Sequence, residues 1–263
     1  HELLLVRQYR LFSLKDSHLR IASDRFDVLV DAVRTQRALL EAYIDRFPLF
    51  RESMVPVPPV AGAPEIARRM HQAAFAVGVG PMAAVAGTIA QMAAEAALAA
   101  GALEAVVENG GDTYIVSPAP VTLALYAGAG ALGEALAFQV DPLDMPVSVC
   151  SSSSRMGHSQ SFGACDLATV ISANASLADA AATLACNRVR RQEDLGTTAT
   201  AIAAIAGVIG VFLARDGYVA MAGRVPRLVR NRDPRTLAKI TRDARNRDPL
   251  LTSPSGHGLG TGT

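Results

Sequence analysis

The chain has 263 residues, of which half are hydrophobic, and its 25 Lys and Arg almost balance its 24 Asp and Glu, for a formal net charge of +1. Such a chain is long enough to bury a sizeable core, and its charge excludes the long-range field that attracts nucleic acid or anionic membranes. Three widely spaced Cys predict neither a disulfide framework nor a zinc site. With no signal-peptide pattern in the first residues, we expect a protein of the reducing cytoplasm.

The N-terminal part predicts a β-hairpin followed by three helices. Short apolar runs predict the hairpin, and apolar residues at helical spacing predict the helices, the first of them with Asp24 as its N-cap. Pro48 ends this helix, and the prolines within 50–63 predict an extended surface loop. The predicted strands are 3–12 and 18–23, and the predicted helices run from Asp24 to Phe47, from Pro64 to Val77 and from Met82 to Ala100.

After Gly101 the apolar pattern becomes that of short strands. Residues from Arg224 onward are basic but diluted by Asp, which is typical of a solvated face. We predict one domain over 1–250 and a disordered Gly/Ser-rich tail over 251–263. Its fold class is α+β, with antiparallel or mixed sheets flanked by helices. The predicted strands are 103–107, 113–116, 121–126, 135–140, 147–150, 167–172, 208–214 and 218–222, and the predicted helices are 176–187 and 197–206.

Two apolar runs, 81–103 and 196–214, resemble membrane spans in length. Gln91 and Glu95 interrupt the first run. The second run begins with small residues and is followed by a hairpin turn signal at Asp216-Gly217. A span needs about twenty strongly apolar residues, so we predict that neither run crosses a membrane.

Gly128, Gly130 and Gly133 form a G-x-G-x-x-G sequence after an apolar run, as in a dinucleotide-binding fingerprint. A Rossmann unit would continue with a full crossover helix. Residues 134–140 are too few for such a helix, and they end at Asp141-Pro142. We therefore favour a Gly-rich connection between two strands.

A polar turn lies between two of the predicted strands and consists of Glu108, Asn109, Gly110, Gly111 and Asp112. Consecutive glycines permit positive φ and allow backbone N–H groups to face a ligand. The Asn amide and the Asp carboxylate would add polar groups beside them. The alternative is a plain hairpin turn, because Asn-Gly by itself is a strong turn signal.

A second polar segment begins with the serine run Ser151–Ser154, at the end of a predicted strand. Hydroxyls and free N–H groups at a strand end suit a phosphate, and His158 is the candidate catalytic base. The alternatives are a polar surface loop, or a Ser–His–Asp hydrolase using Asp166, against which the missing G-x-S-x-G elbow argues. The candidate ligand-binding serines are Ser151, Ser152, Ser153, Ser159 and Ser161.

Ser176 and Asp179 have the spacing of a capping box at the start of a helix. Thr183 follows Asp179 by one helical turn and so lies on the same face. A carboxylate and a hydroxyl stacked in this way can present two oxygens to Mg²⁺, with phosphates and waters completing its shell. The spacing alone leaves both interpretations open and favours the cap.

Four segments occur in an order that resembles the ApbE-like superfamily, the FAD:protein FMN transferases. They are Met82–Ala90, Glu108–Asp112, the Ser-rich Gly157–Ser159 run and Ala178–Thr183. The resemblance is closest to the branch without a lipoprotein leader and covers roughly 81–187. It implies an ApbE-like domain that binds a small phosphate-bearing ligand.

The resemblance also assigns roles to individual residues. An Asp and a Thr four apart hold Mg²⁺ beside the FAD pyrophosphate in the transferases, and here they would be Asp179 and Thr183. The Gly-Gly-Asp of the family matches Gly110, Gly111 and Asp112. The implied cofactors are therefore FAD or FMN, with Mg²⁺.

Three motifs depart from the transferases. The helix carries Gly87-Thr88 where they have Lys-Gly, His158 is followed by Ser-Gln-Ser-Phe-Gly in place of Asp-Pro-x-Thr-Gly, and their Met-Gly-Thr segment has no counterpart. We therefore expect a flavin or nucleotide site with altered, Mg²⁺-assisted, transferase-like chemistry. The alternative is a non-catalytic scaffold that binds a ligand, a protein partner or a second copy of the chain. Relatives in this branch are also associated with sulfide assimilation toward homocysteine, and in that role Cys150 and Cys165 would be thiol carriers rather than inert buried thiols.

Overall fold

The computed structural model describes residues 7–127, 136–154 and 163–232, so the G-x-G-x-x-G sequence and the predicted tail lie outside the described residues. The strands are β1 (Arg10–Leu14), β2 (Ser17–Ser23), β3 (Ala105–Asn109), β4 (Asp112–Val116), β5 (Val121–Leu125), β6 (Leu136–Val140), β7 (Val147–Ser152), β8 (Leu167–Ser172), β9 (Val208–Arg215), β10 (Tyr218–Gly223) and β11 (Arg227–Arg230). The helices are α1 (Phe26–Arg46), α2 (Leu49–Glu52), α3 (Glu65–Val77), α4 (Val85–Ala99), α5 (Ala175–Arg188) and α6 (Asp194–Ala203).

The fold has three layers. An eight-stranded sheet has the strand order β1-β2-β3-β4-β7-β8-β9-β10, and a three-stranded sheet has the order β11-β6-β5. The strand pairs in both sheets are antiparallel. The predicted α+β class is confirmed. The Rossmann interpretation is wrong, because β5 and β6 pair as antiparallel neighbours, whereas a Rossmann crossover joins parallel strands.

The large sheet is covered on both faces because its strands alternate apolar residues toward each side. In β3, Val107 packs into the core under the helices, while its neighbour Val106 packs into the core under the small sheet. In the second core the rings of Phe138 and Phe212 meet edge to face at 5.7 Å. Burying each ring stabilises the fold by about 2 kcal/mol, so both faces of the large sheet contribute to stability.

Helix α4 lies at the centre of the helical layer. It contacts α1, α5, β3 and β4, and its buried residues are mostly Ala and Gly, which allow close approach. Together with the preceding turn it forms the stretch Pro81–Ala99, which is long and apolar enough to cross a membrane by length and composition. Its packing against two helices and two strands accounts for that apolarity as a core helix.

Several local predictions are corrected by the structure. Arg25 rather than Asp24 is the N-cap of α1, and the Asp24 carboxylate instead accepts a hydrogen bond from the Leu103 N–H at 3.1 Å. The loop predicted over 50–63 is preceded by the short helix α2. The basic segment after Arg224 contains β11, which pairs with β6.

Candidate functional site

The hairpin between β3 and β4 places its glycines at a tight turn. Gly110 and Gly111 have φ of +67° and +108°, and Asn109 is registered opposite Asp112. Positive φ at both central positions is the type I′ geometry that glycine favours. The sequence therefore forms the hairpin turn that Asn-Gly indicates, and this turn fixes where the flanking side chains point.

Asn109 and Asp112 both point to the helical side of the sheet and are buried. The Asn109 amide donates to the Ala86 carbonyl oxygen at 3.1 Å, which ties β3 to the first turn of α4. The Asp112 carboxylate accepts a hydrogen bond from the Ser151 N–H at 3.2 Å. The end of the hairpin is thereby joined to α4 on one side and to β7 on the other.

Asp179 does not belong to the capping box that its spacing suggests. The N-cap of α5 is Asn174, whose side chain accepts from the Leu177 N–H at 3.1 Å. The Asp179 carboxylate instead accepts from the Gly87 N–H of α4 at 2.8 Å. Because α4 has no side-chain cap of its own, Asp179 supplies an anion at the positive end of that helix from the neighbouring one.

The carboxyl groups of Asp112 and Asp179 lie close enough for their charges to interact. Burial raises the pKa of Asp112 well above its usual range, and the neighbouring Asp179 charge raises it further. Burial also raises the pKa of Asp179 to about 7, against the lowering effect of N–H donors from Gly87 and Ala86. Near neutral pH the two groups therefore hold fewer than two negative charges.

Cys150 lies beside this carboxyl pair, with its Sγ 3.7 Å from the Ala175 carbonyl oxygen. Burial raises the pKa of its thiol well above the usual range, and Asp112 and Asp179 add to the effect. Cys165 is buried as well, and a hydrogen bond with Cys186, together with burial, raises its pKa. Since the thiolate is the reactive form, these contacts favour inert buried thiols over thiol carriers.

The three described serines lie at the same sheet edge. Ser151, Ser152 and Ser153 line a cavity of about 690 Å³ between the two sheets, and Gly110 and Gly111 line it as well. The Ser151 hydroxyl is 2.8 Å from that of Thr169. The buried Ser152 hydroxyl has no hydrogen-bond partner among the described residues.

The structure thus divides the predicted residues between two faces of one sheet edge. Asn109, Asp112 and Asp179 lie on the helical side, and Thr183 lies one turn beyond Asp179 and is 8% exposed. The glycines and the Ser151 side chain face the cavity, and Ser153 also lines it. Ser152 follows Ser151 on β7, so its side chain points to the helical side, as does that of its registered partner Ala168. His158, Ser159 and Ser161 lie outside the described residues.

Comparison with known proteins shows the family of this chain. The family model described as AbpE bacteria matches residues 11–204. The UPF0280 protein of Methanocella arvoryzae is 39% identical over 86% of this chain and 93% of its own length. The UPF0280 protein of Methanosarcina barkeri is 38% identical over 83% of this chain and 88% of its own length. The chain belongs to the family that this model describes. Its membership confirms the ApbE-like superfamily that the motifs indicate.

Solved structures of ApbE proteins share the fold of this family member. The apo flavinyl transferase ApbE of Pseudomonas stutzeri aligns with a TM-score of 0.50 at 14% identity, covering 83% of this chain and 95% of its own. The ApbE protein of Thermotoga maritima aligns with a TM-score of 0.51 at 12% identity, covering 82% and 97%. At this identity the likeness extends to the fold alone.

The family resemblance implies a Mg²⁺ site, and the described residues supply some of the ligands that such a site needs. In 7–127, 136–154 and 163–232, no three His, Cys, Asp or Glu side chains are placed together to hold a metal ion. Mg²⁺, however, commonly keeps several waters and uses one or two carboxylates with ligand phosphates. Asp112 and Asp179 interact with one another, and no described Lys or Arg forms an ion pair with either. A divalent cation would relieve that repulsion.

The sequence alone did not indicate Gly87 or Arg20 as parts of the site, and it indicated Glu108 only as a member of the polar turn, without a role. Gly87 is the backbone partner of Asp179, and the other two line the inter-sheet cavity. The strand alternation of β2 and β3 was the available signal, because it places Arg20 and Glu108 on one face of the sheet.

Proposed function

We propose that the protein binds a flavin or a related nucleotide through its phosphates at this sheet edge, with Mg²⁺ held by Asp179 and Thr183. The observation that carries the proposal is the pair of interacting carboxyl groups, Asp112 and Asp179, beside the Gly110-Gly111 turn. Carboxylate and hydroxyl oxygens suit Mg²⁺, and backbone N–H groups of a Gly-Gly turn suit a phosphate.

Asp179 and Asp112 would act on the metal, and the Gly110-Gly111 turn would bind the phosphate. Asp179 would bind the metal with the oxygen lone pairs not used by the Gly87 N–H, and Asp112 would balance its charge from β4. When bound, Mg²⁺ supplies charge neutralisation and Lewis-acid polarisation of a phosphate. The hydrogen bonds from Gly87 to Asp179 and from Asn109 to Ala86 keep the strand end and both helices in fixed relation.

A non-catalytic scaffold is the second candidate, and one observation favours it. The Asp179 carboxylate already has a structural use, because it caps α4. On this proposal the protein keeps the fold and a ligand-binding edge without group transfer. The proposed link to sulfide assimilation would then run through binding of a ligand or partner, because Cys150 and Cys165 are buried. Three buried free thiols also support the proposed cytoplasmic location.

The experiment that tests the proposed function is a calorimetric titration of FAD, FMN and ADP in Mg²⁺ and in EDTA, after an absorbance scan for bound flavin. We expect at least one of these ligands to bind about tenfold or more tightly with Mg²⁺, about 1.4 kcal/mol. Affinity should rise with Mg²⁺ because the metal would bridge the phosphate and the carboxyl pair. Equal affinities in the two conditions would reject the metal role.

FMN transfer onto another protein is expected to be weak or missing. The reasons are the segment after His158, which differs from that of the transferases, and the absence of their Lys beside Gly87-Thr88. The measurement is Mg²⁺-dependent labelling of a peptide that carries a flavinylation motif, with an active ApbE transferase as the positive control. Efficient labelling by this protein would show that the prediction is wrong.

A further inference from the structure

The cavity between the two sheets has a polar floor that crosses neighbouring strands. Arg20 of β2 is registered opposite Glu108 of β3, Glu108 opposite Thr113 of β4, and Thr113 opposite Val149 of β7. All four residues line the cavity. Three of the four, Arg20, Glu108 and Thr113, are polar, and polar neighbours are unusual between two packed sheets, where apolar residues normally interdigitate. The space between the sheets therefore differs from the adjoining core around Phe138.

The roof of the cavity comes from the small sheet. Thr122 and Gln139 are registered partners on β5 and β6, and both line the cavity. The end of β11 and the residues after it complete the lining with Arg230, Asn231 and Arg232. With a volume of about 690 Å³, the cavity lies within the range of small-molecule sites, about 300–1,000 Å³.

The charge of the lining is predominantly positive. The Arg7 guanidinium forms an ion pair with Glu104 at 2.8 Å. It also donates hydrogen bonds to the Ser117 hydroxyl and to the carbonyl oxygens of Ala119 and Pro120. Arg20 stacks at 4.0 Å over the Tyr9 ring and reaches Glu108 only at 3.9 Å. Among the described residues of the lining, Glu108 is the one acidic residue and four are Arg, so this part of the lining carries an excess of guanidinium groups.

Among the Arg residues of the lining, Arg230 and Arg232 form the fewest interactions. Both are exposed at the mouth of the cavity. Neither forms an ion pair or a side-chain hydrogen bond with the described part of the chain. By contrast, Arg227 on the same strand donates to the Gln139 side chain at 2.7 Å. The Ser151 hydroxyl, on the face of β7 that lines the same cavity, has a described hydrogen-bond partner in the Thr169 hydroxyl at 2.8 Å.

We propose that the inter-sheet cavity binds the body of a small anionic molecule and that Arg230 and Arg232 hold an anionic group of it, a phosphate or a carboxylate. Guanidinium groups pair with both anions in the same forked geometry. The inference extends the proposed function, on which it rests for the position of a phosphate at the Gly110-Gly111 turn. It adds that the ligand carries a second negative group, which is bound without a metal.

The test uses pyrophosphate and citrate as probes, each titrated calorimetrically in EDTA against the full chain. We expect at least one probe to bind, and the probe that binds better separates phosphate from carboxylate recognition. The double variant Arg230→Gln, Arg232→Gln should bind that probe about tenfold more weakly, because two charge-assisted contacts are lost. Binding by the wild-type protein should also weaken as salt is raised.

The double variant Arg34→Gln, Arg46→Gln is the matched control, since it removes the same number of charges from exposed positions on α1 that do not line the cavity. Equal affinities of the wild type and the variant of Arg230 and Arg232 would overturn the inference, as would an equal loss in the control or no binding of either probe at about 1 mM. Arg230 and Arg232 are exposed, so an unchanged thermal midpoint should show that their double variant is folded. Because the probes are titrated in EDTA, their binding does not involve Mg²⁺, so a failure here is distinguishable from a failure of the metal proposal, which is tested by the comparison of Mg²⁺ with EDTA.

Discussion

Asp179→Asn is expected to remove the Mg²⁺ dependence of nucleotide binding, with a loss of affinity of at least about tenfold in Mg²⁺. Asn keeps an oxygen that can accept from the Gly87 N–H, so the cap on α4 survives the change. It loses the charge that Mg²⁺ requires of its few protein ligands. Thr183→Val should act in the same direction and more weakly, because it removes one hydroxyl and keeps the shape. The measurement is the titration in Mg²⁺ and in EDTA, and Asp31→Asn on the exposed face of α1 is the control.

The same variant should change how stability depends on pH when no metal is present. The folded pKa of Asp179, about 7, lies above its usual value of 3.8. The folded state therefore binds more protons between these two values, and the wild type loses stability as the pH rises from about 4 to 7. We expect Asp179→Asn in EDTA to be more stable than the wild type by up to about 4 kcal/mol at pH 8, at about 1.4 kcal/mol for each unit between the two pKa values, and nearly equal to it at pH 4. A difference that does not vary with pH would contradict the raised pKa.

Gly87→Ala is expected to destabilise the fold by about 2–4 kcal/mol. A Cβ at this position would lie 2.5 Å from the Ala175 carbonyl oxygen and 3.0 Å from the Asp179 Cβ. Relief requires α4 and α5 to separate, because one of these neighbours is backbone. The separation would also lengthen the hydrogen bond from Gly87 to Asp179, so Mg²⁺-dependent binding should weaken together with stability. Denaturant unfolding measures the first effect and calorimetry the second.

Gly196→Ala provides the matched control for this change. Gly196 lies within α6, and a Cβ added there would meet no atom within 4 Å. In an open helical position Ala is more favourable than Gly by roughly 0.5–1 kcal/mol. Opposite signs for the two substitutions are therefore expected. Comparable effects at the two positions would mean that the close contact between α4 and α5 is not what constrains Gly87.

Local patterns in the sequence predicted most helices and strands but not their distant partners. The 3.6-residue period was sufficient for α1 and α3, and the short apolar runs were sufficient for β3 and β8. β11 was missed because it is short, basic and half exposed, and its partner β6 lies far away in the sequence. Propensity carries no information on such long-range pairing.

The candidate site was predicted by residue type and not by geometry. The spacing of Ser176 and Asp179 suggested a local cap, whereas the observed partner of Asp179, Gly87, is 92 residues away. Strand register decides which face a residue occupies, and a shift of one residue exchanges the faces. That is why Asp112 and Ser151, both candidate ligand-binding residues, contribute to different sides of the sheet.

The two sheets are connected by short tethers, and these limit how a ligand can enter. Residues 117–120 join β4 to β5, 141–146 join β6 to β7, and 224–226 join β10 to β11. Each tether links the two sheets, two of them running from the large sheet to the small one and one running back, so the small sheet cannot swing outward as a hinged lid without breaking its packing. Arg230 and Arg232 are exposed where they line the cavity, so a molecule that enters on their side meets a positively charged mouth. The charge at that mouth would act on the rate of entry as well as on the affinity.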